Sequence, residues 1–526
     1  MLHLSWTQKV TNDEVLRLVG QKRKLLQTIK HENLAYLGHV LRHDRYELLQ
    51  LIMMGKVPVS LGNFLTGLCF AWPSFALYVL QSDKSPTGSP ISDFEANLVG
   101  SLVMLGNLFV TPFSAWISDM MGKKRSCILS ALGFALSWAI IATTRSIHLI
   151  LIGRIILGLS SGIQAVICFP FVAEISQDAI RGTLGSILIL TYIFGMLIAY
   201  LIGWFCSYQV VNYVNLTISV LFVVLSCCLK ETPAFLIAKG KDKDALKSLQ
   251  FYRGASKATP KVLEEMALLN QENKSEDKTL VTEKCSDTGT EKELLNQTEV
   301  KRSGSEMSPW KTLCSSKSAQ RALFVVTFHT ILLVFGGTIA VTTYASQLFE
   351  KAAPNIANEI CAVILAVAFL VGSVFSLVIC DLVGRRVLML TSTILSAVFL
   401  VLLASLLRWS WAPEWTIPAA VLGYCCVFQM GAAAVPFLQI SECFVHKLKN
   451  LASTIANTAM CLGNFIVLAL FPFSVNLLGL DGIFLLFAFI CILLTLSTYF
   501  LMRETRSRSV DEIQKMFENG LLYRTE

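Results

Sequence analysis

Asp119-Met120-Met121-Gly122-Lys123-Lys124 returns as Asp381-Leu382-Val383-Gly384-Arg385-Arg386, 262 residues further along the chain. Two other spacings repeat at nearly the same distance. Glu174 stands seven residues before Arg181 as Glu442 stands before Lys449, an offset of 268, and Glu231-Thr232 returns as Glu504-Thr505 at 273. Three acid-containing patterns recurring in order imply two homologous halves in the same orientation, the signature of parallel-repeat membrane proteins.

The sequence around these motifs is strongly apolar. Of 526 residues, 54% are hydrophobic and 15% charged, and the mean hydropathy is +0.60. A soluble domain is about one quarter charged, so an ordinary soluble enzyme is excluded. The apolar residues gather into stretches long enough to cross a hydrocarbon core, predicted at roughly 57 to 80, 96 to 118, 126 to 144, 149 to 174, 184 to 206, 210 to 229, 321 to 349, 359 to 380, 387 to 407, 415 to 441, 451 to 474 and 481 to 502. The fold class expected is an all-α polytopic membrane protein with twelve transmembrane helices in two six-helix bundles.

The expected organisation is an N-terminal extension over 1–55, a first bundle over 56–229, a linker over 230–320, a second bundle over 321–502 and a tail over 503–526. No signal peptide is legible ahead of the first span, although Asp13 to Ile29 has helical character. Gln271 to Ser308 is rich in Ser, Thr, Glu and Lys without an aromatic residue, a composition that favours disorder. Ala245 to Tyr252 and Pro260 to Leu269 have helical spacing and are expected against the cytosolic face.

The net charge of +8 follows topology. With the N-terminus inside, Lys123, Lys124, Arg125, Arg181, Arg385, Arg386, Lys447 and Lys449 fall in cytosolic connections, against Lys84, Arg145, Lys351 and Arg408 outside. Both termini and the linker are therefore expected in the cytosol, and no nucleic-acid partner is needed. Partners of the linker are left open. The sequons at Asn273 and Asn296 lie in it, so their glycosylation would contradict this topology. The 15 cysteines form no CxxC or metal-ligand spacing. No cofactor, metal site, phosphate loop or nucleophile–base constellation is expected.

Charges at helix ends are costly when buried unless paired. Asp119, Lys123, Lys124, Glu174, Arg181 and Glu231 in one half, with Asp381, Arg385, Arg386, Glu442, Lys449 and Glu504 in the other, could form networks that hold the cytosolic side shut and break when the halves rock. Plain topogenic charge is the alternative. Arg154, inside the fourth span, demands a polar partner, an aqueous face or backbone carbonyls. His329 could titrate, though hydrogen bonding to a neighbour is the simpler role.

These motifs, with Gly153-Arg154, Pro170 and Glu174, Arg181-Gly182, Glu231-Thr232-Pro233 with Phe235-Leu236, Pro436 and Glu442, and Glu504-Thr505 leading to Asp511-Glu512-Ile513, give a family resemblance from about Gly62 to Ile513. The chain resembles the sugar porter family of the major facilitator superfamily and looks most like its insect facilitative trehalose-transporter-like branch. That resemblance implies the major facilitator fold and alternating access, with a solute site between the halves. In proton-coupled relatives the comparable arginine pairs with a first-span carboxylate. Here that position reads as Pro73 and the first span has no Asp or Glu, which favours facilitated diffusion.

The sugar-contacting motifs depart from the family. Ile189 stands at the fifth-span glutamine position, Leu333 to Ile339 replace Gln-Gln-x-Ser-Gly-x-Asn with only Gly337 retained, and Phe369 stands at the eighth-span asparagine. Ala434 and Phe437 replace the first proline and the tryptophan of the tenth-span motif, and Met460-Cys461 replace Asn-Trp. The expected substrate-binding residues are Gln429, Thr338, Thr342, Thr343, Asn464 and Phe437, with Gln164 and Thr191 in the first half. Polar residues bonded to their own helices are the alternative. Gly431 to Ala434 with Pro436 should soften the tenth helix.

The leading function is facilitated transport of a sugar or similar small neutral polar solute across a bilayer, with the plasma membrane expected because no organelle address is readable. A non-transporting sensor on the same fold is the alternative, motivated by the long linker and the lost sugar contacts.

Overall fold

The computed structural model describes residues 56–83, 85–176, 178–253, 262–269, 313–352, 355–409, 411–444, 446–506, 510–518 and 520, with some side chains inside these ranges left out. The helix expected over Asp13 to Ile29, the linker centre Gln271 to Ser308 and both sequons lie outside the described residues.

Hydropathy sets the helix lengths. The first half comprises Lys56–Leu80, Asp93–Met121, Lys123–Thr143, Ile147–Ile175, Asp178–Phe205 and Tyr208–Cys227 as spans one to six. Span seven is broken into Lys317–Phe335, Thr338–Thr343 and Ala345–Ala352. Spans eight and nine are Asn358–Val383 and Arg385–Trp409, and span ten is split into Thr416–Met430 and Val435–Cys443. The helix His446–Leu501 turns at Gly479, where φ is +74°, dividing it into spans eleven and twelve. Eleven described helices are long and apolar enough to cross a membrane. That turn makes twelve spans.

The breaks in spans seven and ten have different origins. Gly337 adopts φ +91°, and a Cβ there would come within 2.2 Å of the Phe487 ring, so only glycine fits both the backbone and the space. This break was not expected, because apolar residues run continuously from Ile331 to Phe335 and resume at Ile339. The softening expected at Gly431 to Ala434 is present as turn geometry between the two pieces of span ten.

Within the first half, spans two and four cross at Gly106 and Gly158. A Cβ on Gly106 would lie 2.4 Å from the Ile155 carbonyl oxygen, and one on Gly158 would lie 2.2 Å from that of Val103. Small residues thus let the backbones touch, the usual basis of close packing where lipid offers no hydrophobic drive.

The end bearing Lys123, Lys124, Arg385 and Arg386 is here the basic end, and the opposite one the far end. Short helices cover the basic end of each half. Asp242–Arg253 docks on the first half through Ser248 Oγ on the Glu231 carbonyl, Tyr252 Oη on that of Lys230 (2.5 Å) and Arg253 Nη1 on that of Ile175 (2.7 Å). A further helical stretch, 262–269, packs Val262 and Met266 against Ala245 and Leu249. Both match helices expected in the linker. On the second half, Val510–Glu518 buries Ile513 and Phe517 against Ala322, Val325, Ile440 and Phe444.

Candidate functional site

The repeated motifs build the same device at both basic ends. Gly122, at φ +91°, turns the chain from span two into span three, and Glu231 places its carboxylate on the new helix, accepting from the Lys124 amide at 3.0 Å. Gly384, at φ +99°, makes the equivalent turn, and Glu504 accepts from the amides of Arg385 (3.0 Å) and Arg386 (3.1 Å). A helix N-terminus offers free N–H groups and a positive dipole end, so a carboxylate is stabilised there. A Cβ on either glycine would crowd that carboxylate, at 2.4 Å from Glu231 Oε2 and 2.8 Å from Glu504 Oε2.

The remaining acids pair with side chains. Lys123 Nζ bonds Glu174, while Arg385 donates from Nε (3.1 Å) and Nη2 (3.0 Å) to Glu442, whose second oxygen accepts from Thr505 Oγ1 at 2.5 Å. Arg386 donates to the Tyr499 carbonyl at 2.7 Å and lies over that residue's ring. Asp119, beyond the apolar stretch of span two, has its carboxyl pushed up by desolvation, with Lys123 pulling it down and Glu174 pushing it up again. The Arg181, Asp381 and Lys449 side chains lie outside the described residues. The network expected across many acids and bases is thus resolved into two parts: Glu231 and Glu504 hold backbone amides, and Glu174 and Glu442 hold cations. Among the described residues every one of these bonds stays within its own half.

Glu504→Ala should therefore lower the thermal midpoint of the purified protein, the lost cap costing about 1–2 kcal/mol. Glu504→Gln keeps an acceptor and should cost less. Equal loss in the two variants would show that charge, not the capping geometry, is what matters there.

Arg154 is fully buried, and its partners are backbone carbonyls. Nη1 donates to the Cys69 oxygen at 3.0 Å and Nε to that of Val99 at 2.9 Å, with the guanidinium 5.2 Å from the Trp72 ring centroid. Pro73 explains the first bond. The carbonyl of residue 69 would normally accept from the amide of residue 73, which proline lacks. Arg154 supplies the missing donor and ties span four to spans one and two. Trp72, next to Pro73, is itself held by Nε1 donating to Asn212 at 2.8 Å.

Of the residues expected at the solute site, Gln429 donates to Ser373 Oγ of span eight at 3.0 Å, and Thr338 shares a 2.9 Å hydrogen bond with Tyr424 Oη. Tyr424 also donates to the Gly336 carbonyl at 2.7 Å, so it bridges the break in span seven. Spans seven, eight and ten are thereby brought together around Thr338 and Gln429. Tyr424 was missed, although a tyrosine inside an apolar helix needs a partner for its hydroxyl. Thr342 bonds its own helix at the Ile339 carbonyl, and Thr191 bonds its own at Leu188, as the alternative reading had it. Gln164 lies between spans one and four, donating to Val59 O at 3.1 Å and leaving Oε1 without a partner. Thr343 and Asn464 are buried, and Phe437 is exposed. His329 is buried with Nδ1 on its own helix at Val325.

Polar contacts between the halves run from mid-depth to the far end. Ser74 and Ser346 share a 2.9 Å bond, Tyr200 donates to the Thr342 carbonyl at 2.7 Å, Gln347 to Gln81 at 2.8 Å and Asn97 to the Ala469 carbonyl at 2.8 Å. Tyr344 reaches both Asn97 and the Leu468 carbonyl at 3.3 Å. The innermost contact pairs Thr111 with Cys461 at 3.8 Å. Among the described residues, no hydrogen bond joins the halves at the basic end.

Residues 55–517 match the family described as sugar (and other) transporter. The chain belongs to that family. Relatives include facilitated trehalose transporters of Polypedilum vanderplanki, 24% identical over 88% of this chain and 87% of that protein, and of Apis mellifera ligustica, 24% identical over 88% of each. Among solved structures, the inward-open xylose transporter XylE of E. coli aligns with a TM-score of 0.68 at 17% identity, covering 88% of this chain and 98% of that one. XylE bound to 6-bromo-6-deoxy-D-glucose aligns at 0.63. The fold is thus that of the major facilitator superfamily, and the chain is a sugar porter by family, not an enzyme. Within this sugar porter, two of the departures from the family's sugar-contacting motifs are buried, Phe369 and Cys461, the latter against Thr111, while Phe437 is exposed.

Proposed function

We propose that the protein carries a sugar or a similar small neutral polar solute by facilitated diffusion, with its two halves rocking about a site near mid-depth. The observation that supports this reading is the placement of the bonds seen among the described residues: side-chain bonds link the halves from Thr111–Cys461 to the far end, and the basic-end motifs give each half a brace of its own. Halves that carry separate braces and meet through individually weak polar contacts are what alternating access requires. The positive-inside rule assigns the basic end, the termini and the linker to the cytosol, so the bonds between the halves lie toward the outer side. The plasma membrane is the membrane proposed.

Proton coupling is disfavoured by residue chemistry. The first span has no carboxylate, and Arg154 donates instead to the carbonyls of Cys69 and Val99. The relatives named as facilitated transporters support the same reading. No observation favours the sensor alternative. A panel of radiolabelled sugars and neutral solutes, offered to proteoliposomes, should give saturable uptake of at least one; uptake of none would remove the carrier reading.

Gln429 and Thr338 are the residues proposed to meet the solute, Gln429 because its amide both donates and accepts and is only half-buried. Gln429→Leu should raise the apparent KM by roughly five- to 150-fold, the equivalent of losing about 1–3 kcal/mol, with surface expression unchanged. Wild-type kinetics would shift the weight to Gln164 and Thr191.

A further inference from the structure

Most described cysteines are packed inside the bundles, but Cys227 and Cys228 are exposed side by side at the end of span six. Their position continues a pattern. Along Tyr208–Cys227 the exposed residues Val210, Tyr213, Thr217, Val220, Leu221 and Val224 recur at steps of three and four, while Val211, Asn212, Asn215, Ser219, Phe222 and Ser226 face the bundle. Such spacing defines one stripe of a helix. An apolar stripe about half exposed on a membrane-spanning helix faces lipid. Cys227 and Cys228 are its last turn.

The depth of these thiols is set by the chain that follows. Leu229 is buried, Lys230 is exposed with its ammonium 4.9 Å from the Phe251 ring centroid, and the Lys230 carbonyl is held by Tyr252. Glu231 then caps span three through the Lys124 amide. The two thiols therefore sit where the lipid-facing stripe meets the first cation of the basic end, at the boundary between hydrocarbon and water.

We propose that Cys227 and Cys228 are a site of reversible S-acylation by a long-chain acyl-coenzyme A. The thiolate attacks the carbonyl carbon of the acyl thioester, a new carbon–sulfur bond forms, the bond to coenzyme A breaks, and coenzyme A leaves as the thiol carrying the proton released by cysteine. No oxidant or reductant is consumed. The acyl chain would lie along the Val224, Leu221 and Val220 stripe that faces lipid and add to membrane attachment by burying its methylenes. Cys314 is also exposed but has Ser315, Ser316 and Lys317 beside it in place of an apolar stripe. It is not part of the site.

The inference rests on the basic end being cytosolic, where acyl-coenzyme A is present. In cells expressing the full chain, free thiols are blocked with N-ethylmaleimide, thioesters cleaved with neutral hydroxylamine, and the released thiols tagged with a maleimide polymer that slows migration. Wild type and Cys314→Ser should give a hydroxylamine-dependent shift, and Cys227→Ser/Cys228→Ser should lose it. Cys227→Ala/Cys228→Ala, checked for surface expression, should behave like the serine pair. No shift in wild type, or a shift that survives both double variants, would overturn the proposal. Labelling of Cys227 or Cys228 by an impermeant maleimide added outside intact cells would instead overturn the orientation, which separates the two failures.

Discussion

Ser74→Cys combined with Ser346→Cys should, once oxidised, bring solute flux to background, and a reductant should restore it. The two hydroxyl oxygens are 2.9 Å apart across the halves, and the Ser346 amide also donates to Ser74 Oγ at 3.1 Å. Such proximity suits a disulfide, whose Cβ atoms stand about 3.5–4.5 Å apart. In the native protein this contact is two hydrogen bonds, each worth about 1 kcal/mol net, weak enough to break as the far end opens. A covalent bond cannot open in that way. Uptake would be measured with and without oxidant, crosslinking being followed by protease nicking between the halves, and with each single cysteine as control. Full flux in crosslinked protein would mean that the far end need not separate at Ser74 and Ser346.

Arg154→Met should destabilise the protein by about 1–3 kcal/mol, because the Cys69 carbonyl loses its donor in a setting where no water replaces it. The expected rescue is specific. Pro73→Ala restores an amide to span one, and in the double variant most of the lost thermal midpoint should return. Transport should recover less, since the tie from span four to Val99 and Cys69 remains cut. Those anchors flank far-end contacts: Ser74 is five residues beyond Cys69, Asn97 two before Val99, and Gly100 lies against the Tyr344 hydroxyl. Midpoints of the four proteins, measured in detergent, complete a double-mutant cycle. Additive losses would show that Arg154 does not act through the carbonyl that Pro73 leaves open.

Much of this architecture is legible without coordinates, for identifiable physical reasons. Span positions follow from the length of apolar stretches, and the two halves from Asp-x-x-Gly with paired cations. The linker helix Asp242–Arg253 was visible as Ala245 to Tyr252 because its apolar spacing is local. What escaped depends on partners distant in sequence. Glu231 and Glu504 read as acids seeking cations, since sequence does not reveal that a helix start would be set before them. Arg154 and Pro73 each drew notice, yet the missing amide that joins them emerges only when spans one and four are side by side. Ser74 and Ser346, 272 residues apart, carried no local signal. Gln429 and Thr338 stood out as candidates because polar groups are conspicuous in apolar helices, and both bond neighbouring spans, whereas Thr342 and Thr191 stood out equally and bond their own backbones.

Counterflow in proteoliposomes tests the central claim most directly. Vesicles preloaded with the unlabelled solute that the uptake panel identifies receive a trace of the labelled form, with the proton gradient either imposed or collapsed by an ionophore. A carrier whose halves alternate without a first-span carboxylate should take up label faster into preloaded than into empty vesicles, by the same factor in both conditions. Uptake that collapses with the proton gradient, or that is indifferent to preloading, would contradict the account.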